Sequence, residues 1–261
     1  MSNELASFRR KLMRADEHRK AVADMLSRCA YGECAIIPEE DAEHKFAVMR
    51  IRLPKPPDEL SLIVGDFLFN ARASLDYLVY RLVESNQPNP PSNRNMFPIC
   101  SSPEAFAAQM RGHRLDGVPE KAKASIERLQ PYTGSENPLR RMADLHELDK
   151  HRTLNLVTVV ASDTHIDWNR GSETVVSTFI GGEELRDGAV FGDIGIPLDS
   201  PEFPELRERL RSMEARGHAA IFVAFEDSTA EELEPLRVDH VLEEIFGFIG
   251  DTVFPALEQF I

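Results

Sequence analysis

Cysteine is scarce in this chain and forms no motif. Of 261 residues only three are cysteine, at positions 29, 34 and 100. The number is odd, and the spacing matches neither Cys-x-x-Cys nor a Cys/His zinc site. These absences argue against a disulfide framework and a structural zinc site, and they indicate reduced, semi-buried thiols.

Long apolar runs are also missing. No segment approaches the roughly 18 to 20 consecutive apolar residues that span a bilayer, and the basic, amphipathic start lacks the apolar block of a signal peptide. We therefore expect a cytoplasmic protein without a membrane span. Glycine-rich phosphate loops, Gly-x-Ser-x-Gly elbows and internal repeats are absent too, so we predict no cofactor.

Negative charge dominates, with a formal net charge of −14. Such a balance disfavours a protein that coats DNA or other nucleic acid. The excess is C-terminal, since residues 181–261 contain 19 Asp/Glu against 6 Arg. Residues 107–152 hold 9 Lys/Arg against 7 Asp/Glu, which permits a local anion site there.

Residues 58–85 predict the central helix, which Asp58 can cap and Pro88 ends. At about 100° per residue one arc is apolar; it holds Leu60, Val64, Phe67, Leu68, Ala71, Leu75, Leu78, Val79 and Leu82. The other arc mixes aromatic and polar residues, namely Leu62, Asp66, Phe69, Asn70, Ala73, Asp76, Tyr77 and Tyr80. Because a solvated face rarely carries three aromatics, we expect both sides of the helix to be covered.

The remaining periodicity predicts an α+β fold, a helical bundle with an inserted or flanking, mainly antiparallel β-sheet. Further helices are expected over residues 3–29, 102–111, 119–129, 139–156 and 238–261, the last kinked at Pro255. Strands are expected over residues 34–37, 45–53, 157–168, 173–180, 189–196 and 219–225. Residues 204–216 fit either a helix or an edge strand. The apolar residues 96–99 are expected to plug the bundle.

We expect a single domain over residues 1–261. Its bundle comprises residues 1–30, 58–156 and 238–261, with a β-rich part at 157–226 and a hairpin at 34–53.

Charges on an apolar arc recur in the helix over residues 139–156, where Asp149 and Arg152 project into that arc. We predict that the two helices face each other, so that one charged cluster forms from Asn70, Arg72, Asp76, Asp149, His151 and Arg152. An i, i+4 pair such as Arg72 and Asp76 is typically structural. A metal shared between Asp66 or Asp76 and His146 or Asp149 stays open, although we assign no metal ligand. His146 and His151 are about 140° apart on the helix and cannot chelate as an i, i+4 pair.

Two motifs resemble an uncharacterised bacterial family of cytoplasmic proteins. The first is Gly-Asp-Phe-Leu-x-Asn-x-Arg-x-x-Leu-Asp over residues 65–76, and the second is His-Glu-Leu-Asp-Lys-His-Arg over residues 146–152. The first motif is also similar to the arginine-x4-histidine helix of the HEPN superfamily, helical bundles that include metal-independent RNases and toxins. Here Phe69 stands where the bacterial family often has His, and Tyr77 stands where the HEPN histidine would be.

That resemblance implies RNA cleavage by a base and a cation that stabilises the phosphorane. Tyr77, whose pKa is normally near 10, is a poor base at neutral pH. His151 or His146 would have to replace it, with Arg72 or Arg152 stabilising charge.

We assign candidate chemistry to four residues, namely Arg72, Asp76, His151 and Arg152. Candidate ligand contacts are Asn70, Tyr77, His146 and Asp149. The leading interpretation is a binding or interaction protein whose charged cluster is structural. The alternatives are a HEPN-like ribonuclease or toxin and a metal- or small-ligand-binding bundle. The partner could be RNA, another protein or a second copy in a homodimer.

Overall fold

A computed structural model describes residues 6–29, 31–41, 46–86, 90–134, 137–169, 175–180, 184–197, 215–226 and 236–261. The chain divides into two compact units. The helical unit comprises Met1–Ala23, Asp58–Leu154 and Val238–Ile261, and the sheet unit comprises Asp24–Pro57 and Asn155–Arg237. The α+β class is confirmed, whereas the single domain stays a prediction.

The described helices follow the predicted order. They are α1 (Ser7–Cys29), α2 (Asp58–Ser85), α3 (Pro103–Arg111), α4 (Glu120–Arg128), a 3-10 turn (Pro131–Thr133), α5 (Pro138–His151), α6 (Val238–Gly247), a π-helical turn (Phe248–Val253) and α7 (Phe254–Glu258). Both α3 and α5 begin with proline after a side-chain cap: Ser102 accepts from the Ala105 N–H and Asn137 from the Leu139 N–H. Proline suits this position because the first helical N–H has no intrahelical partner.

Two predicted helix boundaries are wrong. Helix α5 ends at His151, not at residue 156, because Arg152 is extended (φ −160°, ψ 157°) and β3 begins at Leu156. The C-terminal helix is not one kinked rod, since a π-helical turn separates α6 from α7. Pro255 lies in the first turn of α7, so its missing N–H falls where the hydrogen-bond register already changes.

The predicted core face of α2 is confirmed, because all nine residues of its apolar arc are buried. Phe97, in the expected plug, is fully buried as well. The other arc differs from expectation: the exposed fraction is 63% for Leu62, 58% for Phe69, 43% for Tyr77 and 47% for Tyr80. Helix α2 is therefore covered on one side only, and the prediction of two covered sides is wrong.

The sheet unit contains eight described strands. They are β1 (Tyr31–Asp41), β2 (Phe46–Arg52), β3 (Leu156–Val160), β4 (Thr164–Asn169), β5 (Val175–Ile180), β6 (Leu185–Arg186), β7 (Val190–Pro197) and β8 (Ala215–Phe225). The main path runs β5-β4-β8-β1-β2-β7, and β3 pairs with β6 and β8. Every described pairing is antiparallel, and both strands of the predicted hairpin, β1 and β2, belong to the main path.

One predicted strand is two. The segment over residues 157–168 is interrupted by a turn in which Asp163 has a positive φ of 52°. Both halves, β3 and β4, pair with the same long strand β8. Residues 204–216 were predicted to form either a helix or an edge strand. Residues 204–214 lie outside the described part of the chain, and β8 begins at Ala215.

Candidate functional site

Helices α2 and α5 pack against each other, as predicted, and Gly65 of α2 lies against Asp149 of α5. A Cβ placed on Gly65 would lie 2.7 Å from Asp149 Oδ1 and 2.8 Å from Oδ2. The Asp149 carboxylate therefore lies directly against the backbone of α2. Only glycine leaves this space, which explains the glycine inside an otherwise strong helical segment.

Arg72 and Asp76 form one half-buried unit with the Phe97 peptide. Arg72 Nη2 donates to Asp76 Oδ1 (3.1 Å) and to the Phe97 carbonyl oxygen (2.6 Å). Asp76 Oδ1 in turn accepts the Phe97 N–H (2.9 Å). The pair thus forms hydrogen bonds with both backbone polar groups of the buried residue Phe97, its N–H and its carbonyl. These bonds hold the 90–102 connection against α2.

Burial raises the pKa of the Asp76 carboxyl above its usual range. The Arg72 charge and the Phe97 N–H act in the opposite direction, because both stabilise the carboxylate. The Asp76 carboxyl is therefore engaged by structural hydrogen bonds, although it lines the pocket described below.

Asp149 does not join this pair. No hydrogen bond or ion pair in the described part of the chain connects it with Arg72. Its pKa is raised, first by burial and then by the like charge of Asp66. The predicted meeting of Asp149 with Arg72 is wrong, because Asp149 turns to the helix position that lacks a side chain.

His151 also lies apart from the pair, and Arg152 follows the end of α5, so the predicted cluster does not form as a whole. His151 Nε2 contacts Glu147 Oε1 at 3.1 Å, and its side chain is 73% exposed. Arg152 is exposed and occupies the C-terminal cap of α5. The early end of α5 is the reason, since the helical phase assumed for Arg152 no longer holds beyond His151.

Asn70 and Tyr77 both lie near Lys11 of α1. The Asn70 amide donates to the Asp66 carbonyl oxygen (2.8 Å) and accepts from Lys11 Nζ (3.3 Å). Lys11 Nζ lies 5.8 Å from the centroid of the Tyr77 ring. Tyr77 is on the exposed side of α2 and does not line the pocket that Arg72 lines.

His146 is the predicted residue that shares a pocket with Arg72 and Asp76. It is half-buried, and burial lowers its pKa, with further lowering from the charges of Lys150 and Arg72. The imidazole is therefore neutral at pH 7 and can both donate and accept a hydrogen bond.

The pocket has a volume of about 380 Å³, within the range typical of small-molecule sites. Three cations and two carboxylates line it, namely Arg72, Arg114, Lys150, Asp76 and Glu147. The wall is otherwise largely apolar and includes Phe69, Met96, Phe97, Pro98 and Ile99.

Arg114 and Lys150 were missed as site residues. Arg114 follows α3 and is placed by its Nε, which donates to Gln109 Oε1 (3.1 Å); no local pattern marks it. Lys150 lies inside the second motif and is held by Glu147 at 3.1 Å. The excess of Lys and Arg over Asp and Glu in residues 107–152 was the feature of the sequence that could have indicated them, because both residues belong to that stretch.

Within the described residues, no group of three or more His, Cys, Asp or Glu is placed to hold a metal ion. Nor does this part of the chain contain a helix with the length and apolar character that crossing a membrane requires.

No protein-family model, no curated protein and no solved structure matches this chain. The resemblances to the bacterial family and to HEPN proteins therefore stay predictions.

Proposed function

We propose that this chain is a binding protein and that the pocket lined by α2 and α5 holds a small organic anion with an apolar body. The observation that carries the proposal is the composition of the pocket wall, in which three cations outnumber two carboxylates on a largely apolar surface. Arg72 and Lys150 are paired with the two carboxylates, and Arg114 is the third cation. Concave sites with few convergent polar groups on apolar walls are typical of small-molecule binding.

The hydrogen bonds already made in the pocket support binding rather than catalysis. Asp76 is occupied by Arg72 and by the Phe97 N–H, so it is a poor proton acceptor for a substrate. Both described hydrogen bonds of Arg72 leave from Nη2. Its Nε and Nη1 groups therefore remain to donate to an anion.

Arg114 and Lys150 supply the other two charges. Arg114 is held from one side by Gln109, which fixes the planar guanidinium for bidentate contact with a carboxylate or phosphate. Lys150 adds a flexible point charge at the rim, and neutral His146 adds a donor or acceptor.

Isothermal titration calorimetry tests the proposal with benzoate, phenyl phosphate and inorganic phosphate as probes. We expect the two aromatic anions to bind more tightly than inorganic phosphate, because only they can also occupy the apolar wall. Arg114→Ala should weaken binding about 10- to 100-fold, the effect of losing a charged hydrogen bond of roughly 1.5–3 kcal/mol. Arg111→Ala is the matched control, since Arg111 is exposed and does not line the pocket.

Equal binding of the probes by the wild type and Arg114→Ala, or no binding at all, would contradict the anion pocket. The expected cytoplasmic location belongs to the same proposal, and the buried thiol of Cys100, which forms no disulfide, supports it.

A second candidate is the metal-independent ribonuclease, which one observation favours: neutral His146 lines the same pocket as Arg72. These two residues could supply the base and the cation of 2′-hydroxyl attack. Incubation with mixed RNA, with and without chelator, tests it. Cleavage that persists with chelator and is lost in His146→Ala would favour the ribonuclease over the binding protein.

A further inference from the structure

One face of α2 carries a continuous row of side chains that the helical unit leaves at least partly exposed. We call it the outer seam; it consists of Leu62, Asp66, Phe69, Ala73, Tyr77 and Tyr80. Successive members are three or four residues apart, so all six fall within an arc of about 80°. Alternating spacings of three and four are those of a helix that packs along its length on another helix.

The seam exposes large apolar side chains that a monomer usually buries. Four of its members, Leu62, Phe69, Tyr77 and Tyr80, are among the exposed large hydrophobic residues of the chain. Contiguous exposed apolar surface on a soluble protein is typical of an interface, and tyrosine is enriched at interface hot spots. From Leu62 to Tyr80 the seam is about 27 Å long at 1.5 Å per residue.

Two pairs of seam positions, 62 with 80 and 69 with 73, are symmetric about position 71. When α2 is laid antiparallel on a copy of itself, Leu62 comes opposite Tyr80, and Phe69 comes opposite the small Ala73. Apolar residues then meet at both ends, and a large ring meets a small side chain in the middle. Such self-complementarity is what a two-fold interface requires, because the same surface serves both subunits.

The charges of the seam are complementary in the same arrangement. Lys11 Nζ lies 5.6 Å from the Phe69 ring centroid and 5.8 Å from that of Tyr77. In the described residues no side-chain hydrogen bond or ion pair engages the carboxylate of Asp66. The antiparallel register places Asp66 opposite the partner's Asp76, whose charge is already paired with Arg72. It also places Asp66 next to the partner's Tyr77 and therefore near the partner's Lys11.

We propose that a second copy of this chain docks on the outer seam, with the two α2 helices antiparallel and Lys11 of each subunit paired with Asp66 of the other. The dimer would bury the exposed rings and neutralise two otherwise unpaired carboxylates. Phe69 and Ala73 also line the pocket, so the interface and the pocket share these two residues, although the dimer does not depend on the ligand proposed above.

Size-exclusion chromatography with multi-angle light scattering measures the expected state. We expect a mass twice the 29.4 kDa of the chain and a dissociation constant raised more than about thirtyfold by Leu62→Glu combined with Tyr80→Glu. Neither residue lines the pocket, so anion binding by this variant separates failure of the dimer from failure of the proposed function.

Charge reversal tests the register. Lys11→Glu alone and Asp66→Lys alone should each weaken the dimer, because each places like charges together, and the combined variant should restore it. Arg10→Glu is the control, since Arg10 is an exposed neighbour on α1 outside the seam. Circular dichroism of every variant checks that the helices are intact.

Three results would overturn the proposal. One is a monomeric wild type at the highest soluble concentration, and another is a dimer unchanged by Leu62→Glu with Tyr80→Glu. The third is a folded double charge reversal that stays as weak as the single ones, which would exclude the antiparallel pairing of Lys11 with Asp66.

Discussion

The Asp149 carboxylate lies where the side chain of residue 65 would be if that residue were anything but glycine. A Cβ on Gly65 would stand 2.7 Å from Oδ1 and 2.9 Å from Cγ of Asp149. This contact joins the two motifs of the sequence, one on α2 and the other on α5. It gives both motifs a packing reason that requires no reaction.

Gly65→Ala tests that reason. An exchange of glycine for alanine inside a helix normally stabilises by up to about 1 kcal/mol, but here the new methyl group collides with Asp149. We expect a net loss of about 1–3 kcal/mol in the free energy of unfolding, measured with denaturant. Gly134→Ala is the control, because a Cβ there meets no atom within 4 Å.

The double variant Gly65→Ala with Asp149→Ala should recover the loss, since it removes the colliding carboxylate. A Gly65→Ala variant more stable than the wild type would show that Asp149 moves aside at no cost.

Removing the Asp76 side chain should be far more damaging than removing an exposed charge. Asp76→Ala leaves the Phe97 N–H without its acceptor and Arg72 without its counter-charge. We expect a loss of about 2–4 kcal/mol in the free energy of unfolding. Arg14→Ala should cost less than about 0.5 kcal/mol, because its ion pair with Glu17 is exposed at both ends.

A double-mutant cycle with Arg72→Ala separates the pair from its individual members. The loss in the double variant should fall well short of the sum of the single losses, because both side chains hold the same peptide. Additive losses would contradict a shared structural unit.

The pH dependence of stability should reflect His146. The pKa of His146 is lowered in the folded protein, so folding favours the neutral imidazole. This contribution to the free energy of unfolding is fully present above the unfolded pKa of about 6.5, and it is lost as the pH falls through the lower folded pKa. His146→Gln should remove that part of the acid destabilisation.

Proton NMR titration of the His146 ring measures the pKa directly. Burial is the largest cause of the shift and the Lys150 charge the next. Lys150→Gln should therefore raise the pKa of His146 part of the way toward its ordinary value. An unchanged pKa would leave burial as the cause and place Lys150 too far away to matter.

Hydrophobic periodicity, capping residues and prolines explain which parts of this fold the sequence could predict. The bounds of α2 and its buried arc follow from a 3.6-residue period between a capping residue and a proline, and the structure has both. Likewise, the strands follow from a period of two. The end of α5 could not be predicted this way, because the residues after Arg152, Thr-Leu-Asn-Leu over 153–156, are compatible with either structure until tertiary contacts form.

The sequence by itself determined most of the helical and strand segments, which arc of α2 is buried, and that charges stand on faces with apolar character. Only the tertiary structure decided which groups those charged side chains contact. Arg72 and Asp76 hold the Phe97 peptide, Asp149 fills the space over Gly65, and the aromatic face of α2 stays exposed. The reason is physical: periodicity fixes the direction of a side chain on its own helix, whereas its partner comes from residues distant in the chain.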